Sequence, residues 1–272
     1  MSEAAADPSL AGRSFARPRS VRRRLLWLAG TAAGIAVLVH AWQDTGASLT
    51  SLISGFHNTL NLLSRAVPPD GSVLTDSIRA SILTFDTALL GTASALVLSL
   101  LLVPLAARNI TPHRVAYEAA RLVIGVTRAI PDFVFCLIFL VAVGLGPFSV
   151  VLAVAAHSVG VIGKLFAEAV EDMDMGPVDA LRAAGASRLQ VFLHAVLPGI
   201  AATLTGLALY RFDTNVRSVL YLGAIGGGGL GFLLYDSLQL FQYRQATTEL
   251  AVLLVLLLVV ERVSLMIRQR IV

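Results

Sequence analysis

The sequence is poor in charged residues and nearly free of cysteine. Only 14% of its 272 residues are charged, whereas charged residues make up about 25% of a typical soluble domain. The single cysteine, Cys136, cannot form an intrachain disulfide, and its place inside an apolar run indicates a small buried hydrophobic residue. The sequence also lacks a cluster of metal ligands and a nucleophile spaced with a base. These absences argue against a soluble domain and against a membrane-embedded enzyme.

Hydrophobic residues dominate instead. They account for 56% of the chain, and several runs approach the ~20 apolar residues that a membrane-spanning helix needs. Backbone polar groups in lipid must be satisfied internally, and the runs show little strand alternation, so they predict helices rather than a barrel. The net charge of +4 does not indicate nucleic-acid binding, because the basic residues lie at the ends of apolar runs, where they report topology. We therefore predict an all-α polytopic membrane protein that binds no nucleic acid.

Six apolar runs predict six transmembrane helices. The runs cover about residues 25–42, 77–107, 116–143, 148–169, 198–222 and 246–267. The corresponding domains are a basic tail at 1–24, an N-terminal anchor helix at 25–42, an external amphipathic segment at 43–76, and a core at 77–268 that contains a loop at 170–197. A cleaved signal peptide is the alternative for the first run, but that run is longer than a usual signal-peptide core.

The distribution of arginine predicts the orientation. An even number of spans places both termini on the same side of the membrane. Most arginines lie in the two terminal tails and in the loops at 108–114 and 170–197, whereas the opposite segments contain mainly Arg65 and Arg244. Because basic loops face the cytoplasm, we expect both termini and the 170–197 loop to be cytoplasmic.

The stretch VDALRAAGASRLQVFLHAVLPG, at 178–199, interrupts the apolar pattern with a short alanine-rich helix. Gly185 would cost about 1 kcal/mol inside an exposed helix, so it predicts a break between two short helices. Leu181, Leu189 and Phe192 fall roughly on one face and form an apolar edge suited to docking. The closing Leu-Pro pair fits the first turn of the next helix, where the missing proline N–H is not needed.

The spacing of this stretch resembles the EAA motif of ABC importer permeases, the membrane subunits that separate ATPases drive. In that family the motif forms the coupling helix, which inserts into a groove of the ATPase subunit. Here Asp179 replaces the family's Glu, so the acid is kept, and Leu181 replaces the second Ala. The resemblance implies these ATPase-coupling residues: Asp179, Ala180, Leu181, Ala184, Gly185, Arg188, Leu197 and Pro198.

Further motifs narrow the resemblance to the permeases of phosphonate-type ABC importers, over about residues 67–268. They are VPPDGS, PLAARN, TRAIPDFVF, GLGPF, HSVGVIGKLFAEAVE, YRFDTNVRS and LGAIGGGGLGF. The resemblance implies a type I importer fold, with a methionine-permease-like core of five helices plus one N-terminal helix. It also implies a transport subunit, not an enzyme, that carries phosphonate, phosphate or phosphite across the bacterial plasma membrane. An importer of methionine or another small solute is the alternative; a secondary transporter is less well supported, because no inverted repeat is found.

The same resemblance implies the partners. A second permease subunit, in a homodimer, would enclose a central path. Two ATPase subunits would dock on the 170–197 loop, and an extracytoplasmic phosphonate- or phosphate-binding protein would dock on the other side. ATP and Mg would belong to the ATPase, which leaves this chain without a cofactor or metal.

The glycine-rich run at 226–231 satisfies the pattern of a dinucleotide site. That site also needs a preceding strand within a βαβ unit, which the sequence does not predict. We therefore expect a glycine-rich outer loop near the gate, with Gly226 and Gly228 as gate candidates.

Four polar residues fall inside the fifth apolar run, and polar residues within a span mark functional sites by default. Arg211 and Asn215 are spaced i,i+4 on one face. They are candidates for the translocation path, because a guanidinium matches the geometry of an oxyanion. The alternative for Arg211 is a bond to backbone carbonyls or to a neighbouring span. Asp213 and Arg217 lie on the nearly opposite face, where we expect a structural or gating ion pair.

Four further residues are path candidates: Arg128, Pro131, His157 and Arg217, the last of which also belongs to the expected ion pair. A proline in the third span removes one helical hydrogen bond and can kink the helix. Arg128 has the alternative of reaching the inner lipid headgroups, and His157 has the alternative of simple packing. Lys164 and Glu168, spaced i,i+4, are expected to form a stabilising pair near the cytoplasmic end of the fourth span.

Overall fold

The computed structural model describes residues 21–46 and 48–271, and every regular element within them is helical. The α-helices of this part of the chain are α1 (Val21–Asp44), α2 (Leu49–Ala66), α3 (Leu74–Ala106), α4 (Arg114–Ala129), α5 (Asp132–Val143), α6 (Pro147–Glu171), α7 (Gly176–Ala183), α8 (Arg188–Val191), α9 (Leu197–Leu222), α10 (Gly229–Gln239) and α11 (Tyr243–Ile271). The prediction of an all-α chain is confirmed.

The described residues fall into two compact units, the first ending at Asn61 and the second beginning at Leu62. The first unit contains α1 and most of α2. With 24 residues, α1 is about 36 Å long, which is enough to cross a bilayer. The apolar side of α2 carries the exposed residues Leu52, Ile53 and Phe56 at helical spacing.

Within the described ranges, five helical stretches are long and apolar enough to cross a membrane. They are Arg23–Asp44, Gly71–Ala106, Pro147–Glu171, Arg188–Gly227 and Tyr243–Arg270. The pair formed by α4 and α5 qualifies as a sixth candidate, but it is bent by 91°. The chain thus has the several apolar helices of a multi-pass membrane protein.

The third expected span is therefore not one straight helix: it is divided at Pro131, where the sequence predicts a kink, into α4 and α5. Ile130 is extended, with φ −82° and ψ 121°, and separates α4 from α5. Proline disfavours the helical conformation in the residue before it and cannot donate a backbone hydrogen bond. Pro131 thus ends one helix and precedes the next, so that the expected kink is a right-angled break.

The fifth expected span begins earlier than predicted. A π-helical turn, Phe192–Val196, joins α8 to α9 without interruption, and the helical stretch runs over 40 residues as Arg188–Gly227. Pro198 lies in the first turn of α9. Because a π turn already departs from the regular hydrogen-bond ladder, the missing N–H of Pro198 breaks nothing there.

The expected glycine-rich outer loop also contains a helix, which corrects the sequence prediction. A second π-helical turn, Gly223–Gly227, ends α9, and α10 follows after one residue. Gly226 and Gly228 have φ values of +127° and +80°, a region that side chains disfavour. These two glycines turn the chain from α9 into α10.

The core of the second unit lies along α6, which packs against α3, α4, α5 and α9. One apolar cluster gathers around Phe166, Val170, Val178 and Val196, and a second gathers around Cys136, Val150, Val154, Val216 and Leu222. Cys136 is fully buried, as predicted. Val178 belongs to α7, so the stretch at 178–199, which we call the coupling stretch, shares the first cluster with the spanning helices.

The segment before α3 is tied to the start of α11. Thr248 Oγ1 donates to the Asp70 carbonyl at 2.8 Å, and Arg244 Nε donates to the Pro68 carbonyl at 2.7 Å. The Asp70 carboxylate accepts from the Ser72 backbone N–H at 2.9 Å. This bond, helped by the nearby Arg244 charge, lowers the pKa of Asp70. The tether therefore holds an ionised carboxylate at neutral pH.

Candidate functional site

Two of the path candidates on α9, Arg211 and Asn215, lie in a buried polar cluster between three helices. Arg211 Nε donates to Ser158 Oγ of α6 at 3.1 Å, and Ser158 Oγ donates to the side-chain oxygen of Asn215 at 3.2 Å. The Asn215 amide donates to Thr92 Oγ1 of α3 at 2.9 Å. We call Thr92, Ser158, Arg211 and Asn215 the polar centre.

The polar centre is almost closed to solvent within the chain. Arg211 keeps 9% of its exposure, and Asn215 keeps none. A buried guanidinium or amide is costly unless it is hydrogen-bonded, and the hydroxyls of Ser158 and Thr92 supply the partners. Since Arg211 and Asn215 are one helical turn apart, α9 presents both toward α3 and α6.

A carboxylate lies beside the polar centre. Asp132, the first residue of α5, is close enough to Arg211 for a Coulomb attraction. It accepts a hydrogen bond from the Tyr221 hydroxyl at the end of α9 and another from the Phe133 backbone N–H at 3.0 Å. The Tyr221 hydroxyl also lies 3.2 Å from Ser218 Oγ. Asp132 therefore joins the broken helix to the helix that carries Arg211.

The break between α4 and α5 is held by α6. His157 Nδ1–H donates to the Ile130 carbonyl at 3.0 Å, which gives a partner to a group that the break removes from the helical ladder. A side chain at Gly160 would collide with the Arg128 backbone nitrogen and lie 2.6 Å from Thr127 Oγ1. His157 thus serves the break, and the Arg128 side chain is exposed.

The two ion pairs expected from the sequence, Asp213–Arg217 and Lys164–Glu168, are both formed in the structure. Arg217 and Asp213 approach to 3.1 Å, and Lys164 and Glu168 approach to 3.3 Å. Arg217 and Lys164 keep 53% and 37% of their side-chain exposure, and exposed ion pairs contribute little to stability. A part in gating stays a prediction for these residues.

The glycine segment after α9 is anchored to its neighbours. The Gly226 carbonyl accepts from the Gly146 backbone N–H at 3.1 Å, and the Leu230 backbone N–H donates to Thr84 Oγ1 at 2.9 Å. The segment therefore touches both the turn before α6 and the polar side of α3. The gate function of Gly226 and Gly228 is a prediction that this geometry permits.

The coupling stretch has the expected two-helix form. α7 ends at Ala183, Gly185 has a φ of +81°, and Ser187 and Gln190 form a reciprocal capping box at the start of α8. Such boxes and left-handed glycines are common helix-end devices. Asp179 pairs with Arg182 at 3.3 Å.

The exposed side of this stretch differs from the expected docking edge. Leu181 and Phe192 pack against the apolar core, and only Leu189 of the predicted edge is exposed. Leu197 also packs inward, so these side chains brace the stretch against its own chain. The outward residues of the predicted coupling set are Asp179, Ala180, Ala184, Gly185, Arg188 and Pro198.

Several polar residues of this region were not expected from the sequence. Thr92, Ser158, Ser218 and Tyr221 complete the contacts of Arg211, Asn215 and Asp132. A periodic row of serine and threonine along an apolar run is the available signal, as α3 shows with six such residues buried. Glu249 of α11 is also buried, at 3% exposure, and accepts from Ser237 Oγ at 2.8 Å. Asp86 of α3 is exposed, and the structure offers no account of it.

Comparison with known proteins places these features in a family. A family model described as binding-protein-dependent transport system inner membrane component matches residues 103–272. The chain is 40% identical to the phosphite transport system permease protein PtxC of Stutzerimonas stutzeri over 86% of this chain and 85% of that protein. It is also 40% identical to the phosphate-import permease protein PhnE of Mycolicibacterium smegmatis, over 86% of this chain but 44% of that longer protein.

A solved structure shows the same fold. A structure titled as an inward-facing conformation of the MetNI methionine ABC transporter superposes with a TM-score of 0.63 and 21% identity, covering 74% of this chain and 97% of that one. The expected importer-permease fold and the resemblance to permeases of phosphorus-oxyanion importers are confirmed. This chain belongs to the family of binding-protein-dependent transport system inner membrane components, as a multi-pass membrane permease.

Proposed function

We propose that this chain is the transmembrane permease subunit of an ATP-driven ABC importer for phosphorus oxyanions: phosphite, phosphate or phosphonate. The observation that carries the proposal is the guanidinium of Arg211, which Ser158 holds inside a membrane-spanning helix. The planar fork of arginine donates to two oxygens of an oxyanion at once. Because Nε is bonded to Ser158, the two Nη groups form the part of the fork that meets the ligand. The names of the two 40% identical relatives support this substrate class.

Asp132 gives the site a way to respond to its ligand. In the chain alone, the Asp132 carboxylate lies within range of a Coulomb attraction to Arg211. An oxyanion that reaches Arg211 competes with this carboxylate, and like charges close together repel. The ligand therefore acts on the end of α5 that Tyr221 holds to α9. Arg217 and Asp213, on the nearly opposite face of α9, would contribute to the path or to its gate.

The proposed assembly follows from the family and from the exposed surfaces. Two copies of the chain would enclose the path, with both termini in the cytoplasm. Two ATPase subunits, which bind the ATP and Mg, would dock on the outward residues of the coupling stretch. Asp179 and Arg188 supply charge there, and Ala180 and Ala184 permit close approach. A binding protein for the oxyanion would dock at the opposite end of the bundle.

Transport by reconstituted complexes tests the substrate site. The permease and its ATPase are placed in liposomes with the binding protein, and ATP-dependent uptake of phosphite, phosphate, methylphosphonate and methionine is compared. Arg211→Gln should lower oxyanion uptake about tenfold to a hundredfold, since hydrogen bonds to charged groups contribute about 1.5–3 kcal/mol. Arg211→Lys should recover part of the loss, because the charge returns without the fork.

Arg262→Gln is the matched control, because Arg262 is an exposed arginine on α11. It should leave uptake unchanged. Uptake that survives Arg211→Gln would remove Arg211 from the path. Methionine uptake in preference to every oxyanion would assign the chain to the alternative substrate class.

A further inference from the structure

A second charged cluster joins the middle of α4 to the carboxyl ends of α3 and α6. Arg121 of α4 donates from Nη2 to Glu171 Oε1 at 2.6 Å and from Nε to the Ala106 carbonyl at 2.8 Å. The same Glu171 oxygen accepts from the Arg108 backbone N–H at 2.8 Å. The Tyr117 ring lies 5.3 Å from the Arg121 guanidinium, within the range of a cation–π contact. One carboxylate therefore binds the middle of α4 and the residues just after α3 to α6.

The stability of α6 alone does not account for an acidic residue at the position of Glu171. It is the last residue of α6, where the helix macrodipole is negative and disfavours an acid. Arg121, in contrast, satisfies the Ala106 carbonyl at the end of α3, which has no partner in its own helix. Both side chains keep less than 30% of their exposure, so the pair is better shielded from solvent than the other ion pairs of the second unit. The acid is thus placed for its contact with Arg121.

The cluster continues into the coupling stretch through Asn109. The Asn109 amide donates to the Val170 carbonyl at 2.7 Å and lies 3.2 Å from Met175 Sδ, just before α7. Arg182 of α7 donates to the Asn109 carbonyl at 3.4 Å. Val178 of α7 is fully buried in the same apolar cluster as residues of α4. Asn109, in the loop between α3 and α4, therefore bonds both the end of α6 and α7, and one apolar cluster contains residues of α4 and α7.

The far end of α4 is the break at Ile130, next to Asp132 and the polar centre. Arg121 lies eight residues before Ala129, the last residue of α4, about 12 Å along a helix at 1.5 Å per residue. A displacement of the end of α6 that moves α4 through Arg121 consequently reaches the break. The other route from the coupling stretch runs through the π turn into α9.

We propose that Arg121 and Glu171 are positioning residues for transport: their ion pair transmits the movement of the coupling stretch to the broken helix α4–α5, in parallel with α9. This inference rests on the proposed function, since it needs an ATPase that moves the coupling stretch. The two routes from the coupling stretch end at different residues. The route through α9 ends at Arg211, and the route through Arg121 and α4 ends at Asp132. The Arg211 guanidinium and the Asp132 carboxylate would therefore move together.

The test measures how much oxyanion is transported per ATP hydrolysed. Glu171→Gln and Arg121→Gln should keep the ATPase bound and active but lower this ratio about tenfold, within the usual range of coupling between sites. Arg121→Lys should give a transport ratio between those of the two Gln variants and that of the unchanged protein. Lysine keeps the positive charge, but it lacks the planar guanidinium that bonds Glu171 and the Ala106 carbonyl at the same time. Arg114→Gln and Glu118→Gln, at exposed positions of the same helix, are the matched controls and should leave the ratio unchanged.

The outcomes separate this inference from the proposed function. If the unchanged complex transports no oxyanion, the proposed function fails. If it transports oxyanion and the three substitutions leave the transport ratio unchanged, the Arg121 route is refuted while the proposed function stands. A ratio that falls equally in the two control variants also refutes the route, because any loss of charge on α4 would then suffice.

A distance measurement covers the case in which a variant fails to assemble. Spin labels at Val115 of α4 and Ala183 of α7, both exposed, report the separation of the two helices after Cys136→Ser removes the native thiol. In the complex with intact Arg121 and Glu171, ATP should leave this distance constant to within about 2 Å, the size of an ordinary interface shift. A larger change would show that α4 does not follow α7, which contradicts the proposal.

Discussion

Two prolines interrupt helices of this chain with opposite results. At Pro131 the chain bends by 91° and starts a new helix, whereas at Pro198 it continues through a π turn into a 40-residue helical stretch. The two prolines differ in the contacts that neighbouring helices make with the backbone around them. At Pro131, His157 bonds the Ile130 carbonyl and α6 packs tightly against the end of α4. At Pro198 the helix continues, and the π turn needs no partner from another helix. A proline in a membrane helix becomes a corner where neighbouring helices satisfy and hold the freed backbone.

Among the tests of this contrast, Gly160→Val is expected to have the largest effect. Valine would push against the Arg128 backbone and Thr127 Oγ1, so α4 must move away from α6. We expect a loss of about 3 kcal/mol of stability, the upper range for overpacking, together with loss of transport. Thermal unfolding in detergent measures the first effect and liposome uptake the second.

Gly125→Val on α4 is the control, because space is open around that glycine. It should change the unfolding temperature little. Equal effects at the two glycines would show that α4 does not need its close approach to α6.

An intermediate effect is expected for His157→Phe. The substitution keeps an aromatic ring but removes the donor to the Ile130 carbonyl. A buried acceptor left without a partner costs about 2 kcal/mol. Oxyanion affinity should stay within a factor of about two, since the partners of Arg211 are untouched and a factor of ten would need 1.4 kcal/mol.

The measurement for His157→Phe combines thermal unfolding with the concentration dependence of uptake. A large rise in the half-saturating oxyanion concentration, without loss of stability, would place His157 in the path rather than at the break.

The smallest effect is expected for Pro198→Ala. Because the π turn already absorbs the missing N–H, restoring it removes no clash, and the change acts mainly on the unfolded chain, by about 0.5 kcal/mol. Thermal unfolding should therefore shift by a degree or two at most, and the transport ratio should stay the same. A strong loss of transport with unchanged stability would mean that the proline itself shapes the joint between the coupling stretch and α9.

The sequence was sufficient for the helices, the two-part coupling stretch and the shared face of Arg211 and Asn215, since each depends on local spacing. The right-angled break was not predictable, because its partner His157 lies 27 residues away from Ile130. The bonds of Ser158 and Thr92 were hidden for a related reason. Small hydroxyl residues in apolar runs often bond their own backbone, as Thr92 also does to Ala88.

Ion pairs between residues far apart in the chain could not be predicted from the sequence either. Arg121 and Glu171 are 50 residues apart, so no local spacing in the sequence links them. The predicted docking edge failed at Leu181 and Phe192 because an apolar stripe on a short helix does not say whether it faces a partner or its own core.

The π turn at Phe192–Val196 has a consequence for insertions and deletions. A π turn holds one residue more than the α-helical turn it replaces, and each residue advances a helix by about 100°. Removing one residue from 192–196 would therefore restore a regular helix and leave α8 facing the same direction relative to α9. Removing one residue from the regular helix after the turn has no such compensation, and it would rotate α8 by about 100° relative to the rest of α9. The π turn is thus the place in this stretch where the chain length can change by one residue without changing which side chains an ATPase meets.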